Sequence, residues 1–390
     1  MKKSGVISKL LPLMLAFFAM GFVDLVGIAT NYIKADFKLS DTFANILPSM
    51  VFFWFLVLSI PTGLLMNKIG RKNTVMLSLI VTVPALLIPI FSYNFPSMLI
   101  SFILLGIGNT FMQVSLNPLI ASIVSGDKKS STLTFGQFIK AIASFIAPIL
   151  AAMAVIRFEN WRMILYPAFM LVTVIAIIYL WVTDFEEEKH VGKTATFADC
   201  FRLLKDKYVL FFFIGIMAHV GLDVGINITA PKLLIERIGI TLADAGFATS
   251  FYFIFRTTGC LIGSYLLSKF GDKKVFVTSV SMILIGILFL FSADKSIIYA
   301  GIALFGLGNS NIFPVMFSQA LIRKPNNQNE VSGLMITGIF GGAIIPLLMG
   351  VVSDFVGGQS GALIVLIICV IYLISIVIPN IKATKILDLN

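Results

Sequence analysis

The chain has 390 residues, of which 58% are hydrophobic and only 12% are charged. This composition leaves too little polar surface to cover a water-soluble globule of this length, which excludes a soluble fold. The net charge of +10 does not indicate nucleic-acid binding, because the basic residues lie in short loops between apolar runs, where anionic lipid headgroups are the natural partners.

About 20 mostly apolar residues cross a bilayer as a helix, and the chain contains twelve runs of that length or somewhat longer. In chain order, these spans 1 to 12 cover roughly residues 8–33, 42–66, 73–92, 96–125, 131–156, 162–183, 208–235, 241–268, 273–292, 296–323, 328–356 and 359–380. The runs are apolar on all sides, whereas the strands of a membrane barrel alternate apolar and polar positions. The sequence therefore predicts an all-α membrane protein with twelve transmembrane helices.

Lysine and arginine are unevenly distributed between the two sets of alternating loops. The loops on the side of the two termini carry most of them, for example Lys68, Arg71 and Lys72 between spans 2 and 3. Cytoplasmic loops retain positive charge, so the distribution predicts that both termini lie inside the cell. Span 1 is longer than the apolar core of a signal peptide and shows no small-residue cleavage site, so we expect it to be a retained helix.

One long loop, residues 184–207, separates a six-span N-terminal bundle (1–183) from a six-span C-terminal bundle (208–390). It opens with the acidic run Glu186–Glu188. Apolar residues follow at helical spacing: Phe197, Phe201 and Leu204. We expect an amphipathic helix on the membrane surface that tethers the two halves.

The two halves repeat one another. Span 4 contains Gly106-Ile107-Gly108-Asn109, and span 10 contains Gly306-Leu307-Gly308-Asn309, two hundred residues later. Secondary transporters are commonly built from two such copies. The repeat therefore predicts two pseudo-symmetric bundles and a transport function.

The loop between spans 2 and 3 reads Gly63-Leu-Leu-Met-Asn67-Lys68-Ile-Gly70-Arg71-Lys72, and a degraded copy between spans 8 and 9 runs from Ser264 to Lys274. The first loop resembles the G-x-x-x-D-R-x-G-R-R loop of the major facilitator superfamily. The resemblance implies that superfamily's fold, in which two six-helix bundles rock around a central site. Asn67 stands where the superfamily usually has an aspartate, which forms a charge-pair latch in relatives.

Five further segments, in both halves of the chain, carry a closer resemblance. They are Gln113-Val-Ser-Leu-Asn117-Pro118, Gln137-Phe-Ile-Lys140 with its continuation to Pro148, Phe255-Arg256-Thr-Thr-Gly259, Asn309-Ser-Asn311-Ile-Phe313-Pro314 and Gly341-Gly-Ala-Ile-Ile-Pro346. Together they are similar to the fucose:proton symporter group of sugar carriers, which implies proton-coupled sugar transport. Gln113 and Lys140 replace a glutamate and an asparagine of that group, and Asp24 lies one turn before its functional aspartate.

Four charged residues are predicted to lie well inside the spans: Asp24, Lys140, Asp223 and Arg256. A charge there costs at least about 2.5 kcal/mol and therefore faces a cavity or a partner. In span 7, Asp223 is flanked at helical spacing by His219 and Asn227, and an Asp beside a His can hold and release a proton. We predict Asp24, His219 and Asp223 as proton-coupling groups; for the span 7 residues, a hydrogen-bond clamp between helices is the alternative.

Amide side chains form a second stripe along span 4. Amides both donate and accept hydrogen bonds, which suits the hydroxyls of a sugar, although the same groups can also join helices. The predicted substrate-binding set combines these amides, those of other spans and the two buried cations: Asn109, Gln113, Asn117, Gln137, Lys140, Asn227, Arg256, Asn309 and Asn311.

Lys140 lies about nine positions into span 5, or about 14 Å along the helix axis. This is too deep for its ammonium group to reach water comfortably. Either Lys140 pairs with Asp24 as an internal counter-ion, or it binds the carboxylate of an acidic sugar or another organic anion. The sequence leaves both interpretations open.

We therefore predict a monomeric proton symporter that imports a monosaccharide or an acidic sugar across a bacterial inner membrane. A gradient-independent facilitator and an organic-anion carrier are the alternatives, and the many amides make a drug efflux carrier a weaker one. The three cysteines, Cys200, Cys260 and Cys369, have no metal-ligand spacing, and no nucleotide-binding motif is found. The sequence thus predicts no metal, no cofactor and no enzyme activity.

Overall fold

The computed structural model describes residues 6–39, 41–124, 128–185, 197–240 and 242–382. Every regular element within these ranges is helical. Nine of the described helices are long and apolar enough to cross a bilayer. The prediction of an all-helical, multi-pass membrane protein is confirmed. The acidic run Glu186–Glu188 lies outside the described residues.

The first half contains spans 1 to 6 and the linker helix. Their bounds are Val6–Met20, a 3₁₀ turn Gly21–Leu25 and Val26–Asp36 for span 1; Asp41–Ile69 for span 2; Arg71–Phe91 for span 3; Phe95–Ile123 for span 4; Lys128–Phe158 for span 5; Arg162–Val182 for span 6; and Phe197–Arg202 for the linker helix, with a 3₁₀ turn Leu203–Lys205.

The second half contains spans 7 to 12. Their bounds are Lys207–Ile238 for span 7; Leu242–Phe270 for span 8; Asp272–Phe289 for span 9; Lys295–Asn309 and Ile312–Arg323 for span 10; Gln328–Thr337 and Gly341–Val356 for span 11, with 3₁₀ turns at Pro325–Asn327 and Gly338–Phe340; and Ser360–Tyr372 for span 12, continued by a π-helical turn Leu373–Val377 and a 3₁₀ turn Ile378–Asn380.

Polar residues at the span ends act as helix caps. Asn94 begins span 4 by accepting a hydrogen bond from the Ser97 amide, and Asp294 begins span 10 by accepting from Ser296. Such side chains satisfy backbone N–H groups that have no partner inside the helix. The brief polar breaks between apolar runs are therefore sufficient to separate consecutive helices.

Spans 1, 10 and 11 are interrupted, although the apolar runs alone predict continuous helices. Span 1 tightens into a 3₁₀ turn that contains Asp24, and span 10 breaks between Asn309 and Ile312. Tight turns inside long helices often mark functional hinges. Two of the three interruptions coincide with polar residues that the sequence marks as candidates.

By their contacts, the described residues group into two compact units. Unit 1 consists of Met1–Val124, Ile139–Phe201 and Asn326–Thr337, whereas unit 2 consists of Ser125–Phe138, Arg202–Pro325 and Gly338–Asn390. The first part of span 5 therefore belongs to unit 2, and the first part of span 11 belongs to unit 1. The division follows the two halves of the chain everywhere else to within a few residues.

The repeated glycine motif makes the same contact in each unit. A Cβ atom at Gly106 would lie 2.8 Å from the backbone of Val51 in span 2, and one at Gly306 would lie 2.8 Å from the carbonyl oxygen of Tyr252 in span 8. Glycine is needed at both positions because any side chain would separate the helices. These contacts place Asn109 and Asn309, each three residues after its glycine, at equivalent points of the two units.

Candidate functional site

Unit 1 contains an ion pair between spans 1 and 5. The Lys140 Nζ atom lies 3.3 Å from Oδ1 of Asp24, and the two side chains are 15% and 31% exposed, respectively. Ser144, one turn after Lys140, donates its hydroxyl to Oδ2 of Asp24 at 2.6 Å. Of the two interpretations of Lys140, the geometry therefore favours the internal counter-ion.

A close helix contact brings the two charges together. A Cβ atom at Gly21 would lie 2.5 Å from the Lys140 carbonyl oxygen, so the backbones of spans 1 and 5 touch at this level. The 3₁₀ turn that follows Gly21 presents Asp24 on the side of span 5. A side chain at position 21 would displace the helix that carries the acid.

The span 4 amides of unit 1 are used in different ways. Asn109 is 4% exposed, and neither its Oδ1 nor its Nδ2 atom has a hydrogen-bond partner among the described residues. Asn109 also lines a small pocket together with Met20 and Thr82. In contrast, Asn117 donates to the Gln113 carbonyl oxygen of its own helix at 2.8 Å. Gln113 is 9% exposed. Both amide atoms of Asn109 are thus buried without a partner in the described part of the chain.

Unit 2 contains a cluster centred on Asp223. Its Oδ2 atom lies 3.1 Å from Nη2 of Arg256, and its Oδ1 atom accepts from Asn309 Nδ2 at 3.1 Å and from the Tyr252 hydroxyl. The same Asn309 amide lies 2.9 Å from the Tyr252 hydroxyl oxygen. These contacts join spans 7, 8 and 10 around one carboxylate.

Tyr252 and Ser144 are members of the two clusters that the sequence analysis missed. Tyr252 lies one helical turn before Arg256, and Ser144 lies one turn after Lys140, so both share a helix face with a charged candidate. That spacing is a usable signal, but hydroxyl groups occur on many helix faces. The contacts with Asp223 and Asp24 single them out.

In the span 7 stripe, the Asp223 carboxylate lies within electrostatic range of the His219 imidazole, but no hydrogen bond joins the two side chains among the described residues. His219 is 3% exposed, its Nδ1 atom has no partner among the described residues, and its ring lies 6.3 Å from that of Phe313. Asn227 donates to the Asp223 carbonyl oxygen of its own helix at 2.8 Å, leaving its Oδ1 atom without a partner in the described part of the chain. The hydrogen bonds of the Asp223 carboxylate come from other helices.

Two further candidates of unit 2 lie apart from the Asp223 cluster. Asn311 donates to the Ser310 hydroxyl at 3.0 Å, and a Cβ atom at Gly263 would collide with its Oδ1 atom, so the amide fills a helix contact. Gln137 is half-buried and belongs to unit 2, although Lys140 on the same helix belongs to unit 1.

Two further acids, at the ends of spans and not well inside them, are also buried. Glu330 in span 11 is 1% exposed, and Asp272 at the start of span 9 is 3% exposed. Both acids lie close to a loop or a helix end in the sequence, where an acidic side chain is expected to be exposed to solvent. The tertiary structure buries them because other helices cover these positions.

Chemically, each unit thus combines a cation–carboxylate pair with a buried asparagine that retains free bonding capacity. The Oδ1 atom of Asn309, like both amide atoms of Asn109, has no partner among the described residues. No group of three or more His, Cys, Asp or Glu side chains within those residues could hold a metal ion. The unpartnered amide atoms of the arrangement can bind hydroxyl groups, and each carboxylate is held by a cation and by neutral donors.

The family model for the Major Facilitator Superfamily matches residues 13–234 and 212–386, which together cover most of the chain. This chain belongs to the Major Facilitator Superfamily. It is therefore a multi-pass membrane transporter and not an enzyme, with the superfamily's twelve-helix fold in two bundles.

Individual relatives agree with this assignment. A glucose/galactose transporter of Brucella abortus (biovar 1, strain 9-941) is 25% identical over 382 residues, which cover 93% of this chain and 92% of the relative. The crystal structure of the E. coli fucose:proton symporter matches with a TM-score of 0.82 at 16% identity, covering 97% of this chain and all of that one. A proton:xylose symporter bound to 6-bromo-6-deoxy-D-glucose matches with a TM-score of 0.72 at 15% identity, covering 95% and 96%. These structures confirm the fold that the sequence motifs imply.

Proposed function

We propose that this transporter imports a neutral monosaccharide by alternating access, coupled to protons, across a bacterial inner membrane. The observation that carries the proposal is the buried asparagine of each unit, Asn109 and Asn309. Both amide atoms of Asn109 and the Oδ1 atom of Asn309 lack a hydrogen-bond partner among the described residues. A buried amide without a partner is costly in the empty protein, and a hydroxyl-rich ligand relieves that cost.

Charge balance favours a neutral ligand over an acidic sugar or another organic anion. Asp24 compensates the charge of Lys140, and Asp223 compensates that of Arg256. An entering carboxylate would have to displace an existing partner, which leaves that acid unpaired. Glucose and galactose, the solutes in the name of the Brucella relative, are the first candidates.

In this mechanism, Asp223 and Asp24 are the protonatable groups. Protonation of Asp223 would weaken its contacts with Arg256 and Tyr252 and free their donors for sugar hydroxyls. His219 and Asn227 lie on the same helix as Asp223 and would contribute further polar atoms to the site. Gln113 and Gln137 complete the proposed set of amides, and the protein is proposed to act as a monomer.

The ion pairs also favour a second candidate, a gradient-independent facilitator. A lone buried carboxylate needs a proton before it becomes neutral, whereas a carboxylate paired with Lys140 or Arg256 is neutralised without one. Such a carrier would not acidify the vesicle interior during sugar entry.

The test is sugar uptake into proteoliposomes under an imposed pH gradient, for wild type and for Asp223→Asn. We expect the variant to lose accumulation against the sugar gradient while it retains sugar exchange. Asp354→Asn, which removes an exposed acid of the same unit, serves as the matched control. Unchanged accumulation in Asp223→Asn rejects the role of Asp223, and absence of proton uptake in the wild type selects the facilitator.

The substrate class is tested separately by thermal-shift measurements with glucose, galactose and the corresponding uronic acids. Neutral sugars are expected to stabilise the wild type. A preference for the acids that disappears in Lys140→Asn would instead assign Lys140 to a substrate carboxylate and refute the neutral site.

A further inference from the structure

A tryptophan in span 2 of unit 1 has an indole nitrogen without a hydrogen-bond partner. The Trp54 side chain is only half-buried, but its Nε1 atom is fully buried and has no partner among the described residues. An indole N–H is a donor only, so it can be satisfied by an acceptor and by nothing else. Burial without an acceptor is costly, which makes this nitrogen a candidate for a contact with a ligand.

Trp54 lies against span 4, beside the unpartnered amide of Asn109. A Cβ atom at Gly106 would lie 2.9 Å from Cδ1 of Trp54, the ring atom that is bonded to Nε1. Asn109 follows Gly106 by three residues, so the two positions are neighbours on the surface of span 4, with Cβ atoms about 5–6 Å apart. Both amide atoms of Asn109 are also unpartnered within the described ranges. Spans 2 and 4 thus bring three unpartnered polar atoms to one region of unit 1.

The packing against the glycine does not need the indole nitrogen. In unit 2, a Cβ atom at Gly306 would lie 3.2 Å from Cβ of Phe255. Phe255 stands three residues after Tyr252, as Trp54 stands three residues after Val51, so the two aromatic residues occupy the same place in the repeat. A phenyl ring therefore covers the glycine in one copy, and the N–H group is the part of Trp54 that the helix contact leaves unexplained.

The polar residues of span 8 have apolar counterparts in span 2. Tyr252 and Arg256 both contact the carboxylate at the centre of the unit 2 cluster. The corresponding residues of span 2, Val51 and Phe55, are 0% and 2% exposed. The indole N–H of Trp54 is therefore the group that span 2 can offer to a ligand at this level.

The chemistry of the three unpartnered atoms suits neighbouring hydroxyl groups. A hydroxyl oxygen accepts from Trp54 Nε1 or from Asn109 Nδ2, and a hydroxyl hydrogen donates to Asn109 Oδ1. An apolar solute offers no acceptor to the indole. The indole also combines an apolar body with one polar tip, as a sugar combines C–H faces with hydroxyl groups, so a single sugar can satisfy both parts of the side chain.

We propose that Trp54 is a substrate-binding residue whose indole N–H donates a hydrogen bond to one hydroxyl group of the transported sugar, next to Asn109. The inference rests on the proposed function, because it takes a neutral sugar as the ligand. Since the Trp54 side chain is only half-buried, a rotation of the indole is sufficient to bring Nε1 to the sugar. The hydrogen bond exists only in the complex, so it strengthens sugar binding without stabilising the empty protein.

The first test compares the affinity of glucose, galactose and their monodeoxy analogues for wild type and for Trp54→Phe. Loss of the hydrogen bond is expected to weaken binding of the parent sugar about fivefold. One analogue should bind the wild type about fivefold more weakly than its parent sugar, and this difference should disappear in Trp54→Phe. Without sugar, the variant should melt no lower than the wild type.

Two results of this first test overturn the proposal. If every analogue shows the same difference from its parent sugar in both proteins, no hydroxyl group is bonded to Trp54. If Trp54→Phe weakens all sugars equally and melts at a lower temperature without sugar, the tryptophan serves packing alone.

Tryptophan fluorescence is the second test, because the chain contains only Trp54, Trp161 and Trp181. Addition of sugar should change the emission of the wild type, and the change should be lost in Trp54→Phe. Trp181→Phe is the matched control and should keep the change, since Trp181 is 72% exposed at the end of span 6. A change that persists in Trp54→Phe contradicts the contact. If Trp54→Phe does not fold, the double variant Trp161→Phe with Trp181→Phe leaves Trp54 as the sole emitter, and an emission that ignores sugar then overturns the proposal.

These measurements separate this inference from the proposed function. If neutral sugars bind wild type and Trp54→Phe equally well, the role of Trp54 is rejected and the proposed function stands. If neither glucose nor galactose binds the wild type, both are rejected.

Discussion

Asp24 and Lys140 should be energetically coupled. The loss of unfolding free energy caused by removing one of the two charges should be smaller when the other charge is already absent. At the observed 3.3 Å, two unit charges attract by about 1 kcal/mol in water and by about 5 kcal/mol at an effective dielectric constant of about 20. The pair is partly exposed, and desolvation offsets part of the attraction. We therefore expect a net coupling energy of about 1–3 kcal/mol.

The assay is a double-mutant cycle of Asp24→Asn and Lys140→Asn, with unfolding measured in detergent. Each single variant leaves an uncompensated charge, whereas the double variant leaves none, so the double variant should be more stable than the sum of the single effects implies. The control cycle combines Lys140→Asn with Asp36→Asn, whose carboxylate is bonded to Tyr93 and Trp161 instead. Additivity of the first cycle within about 0.5 kcal/mol refutes the ion pair.

Two further predictions concern unit 2. Tyr252→Phe removes one hydrogen-bond donor of Asp223 and is expected to lower sugar uptake roughly tenfold. The control is Tyr299→Phe, which should leave uptake unchanged because the Tyr299 ring packs on Phe251. Equal effects of the two variants contradict the role of the Tyr252 hydroxyl. At the start of span 7, burial alone would raise the pKa of Asp206, but its bonds from Lys324 and from the Tyr208 amide outweigh this and lower it. The stabilisation by ionised Asp206 is present above the ordinary pKa of Asp and is lost as the pH falls through the lowered value. Asp206→Asn should therefore cost about 1 kcal/mol at neutral pH and reduce the acid sensitivity of the melting temperature; an unchanged acid sensitivity contradicts this role.

The class of the protein could be predicted from the sequence alone because it depends on local properties. Runs of about 20 apolar residues specify spanning helices through hydrophobicity, and the Gly106 and Gly306 motifs specify two copies of one bundle. Both predictions are confirmed. The amide stripe of span 4 was also visible, because helical periodicity places Asn109, Gln113 and Asn117 on one face.

The partners of these side chains depend on contacts between helices distant in sequence. Periodicity placed His219 next to Asp223, yet Asp223 is bonded to side chains of spans 8 and 10, because a helix face does not specify which neighbour covers it. The choice for Lys140 was likewise open until the contact at Gly21 brought Asp24 beside it. The burial of Glu330 is not visible in its own segment, since it comes from contacts with spans 2 and 4.

The sequence by itself thus determined that the chain lies in a membrane, which segments form helices and that the architecture is doubled, because hydrophobicity and periodicity act within each segment. Only the tertiary structure decided which charges are paired and which polar atoms remain for a ligand. The physical reason is that a buried polar group is stabilised or destabilised by its immediate neighbours, and those neighbours are set by the packing of helices more than a hundred residues apart, as for Asp24 and Ser144.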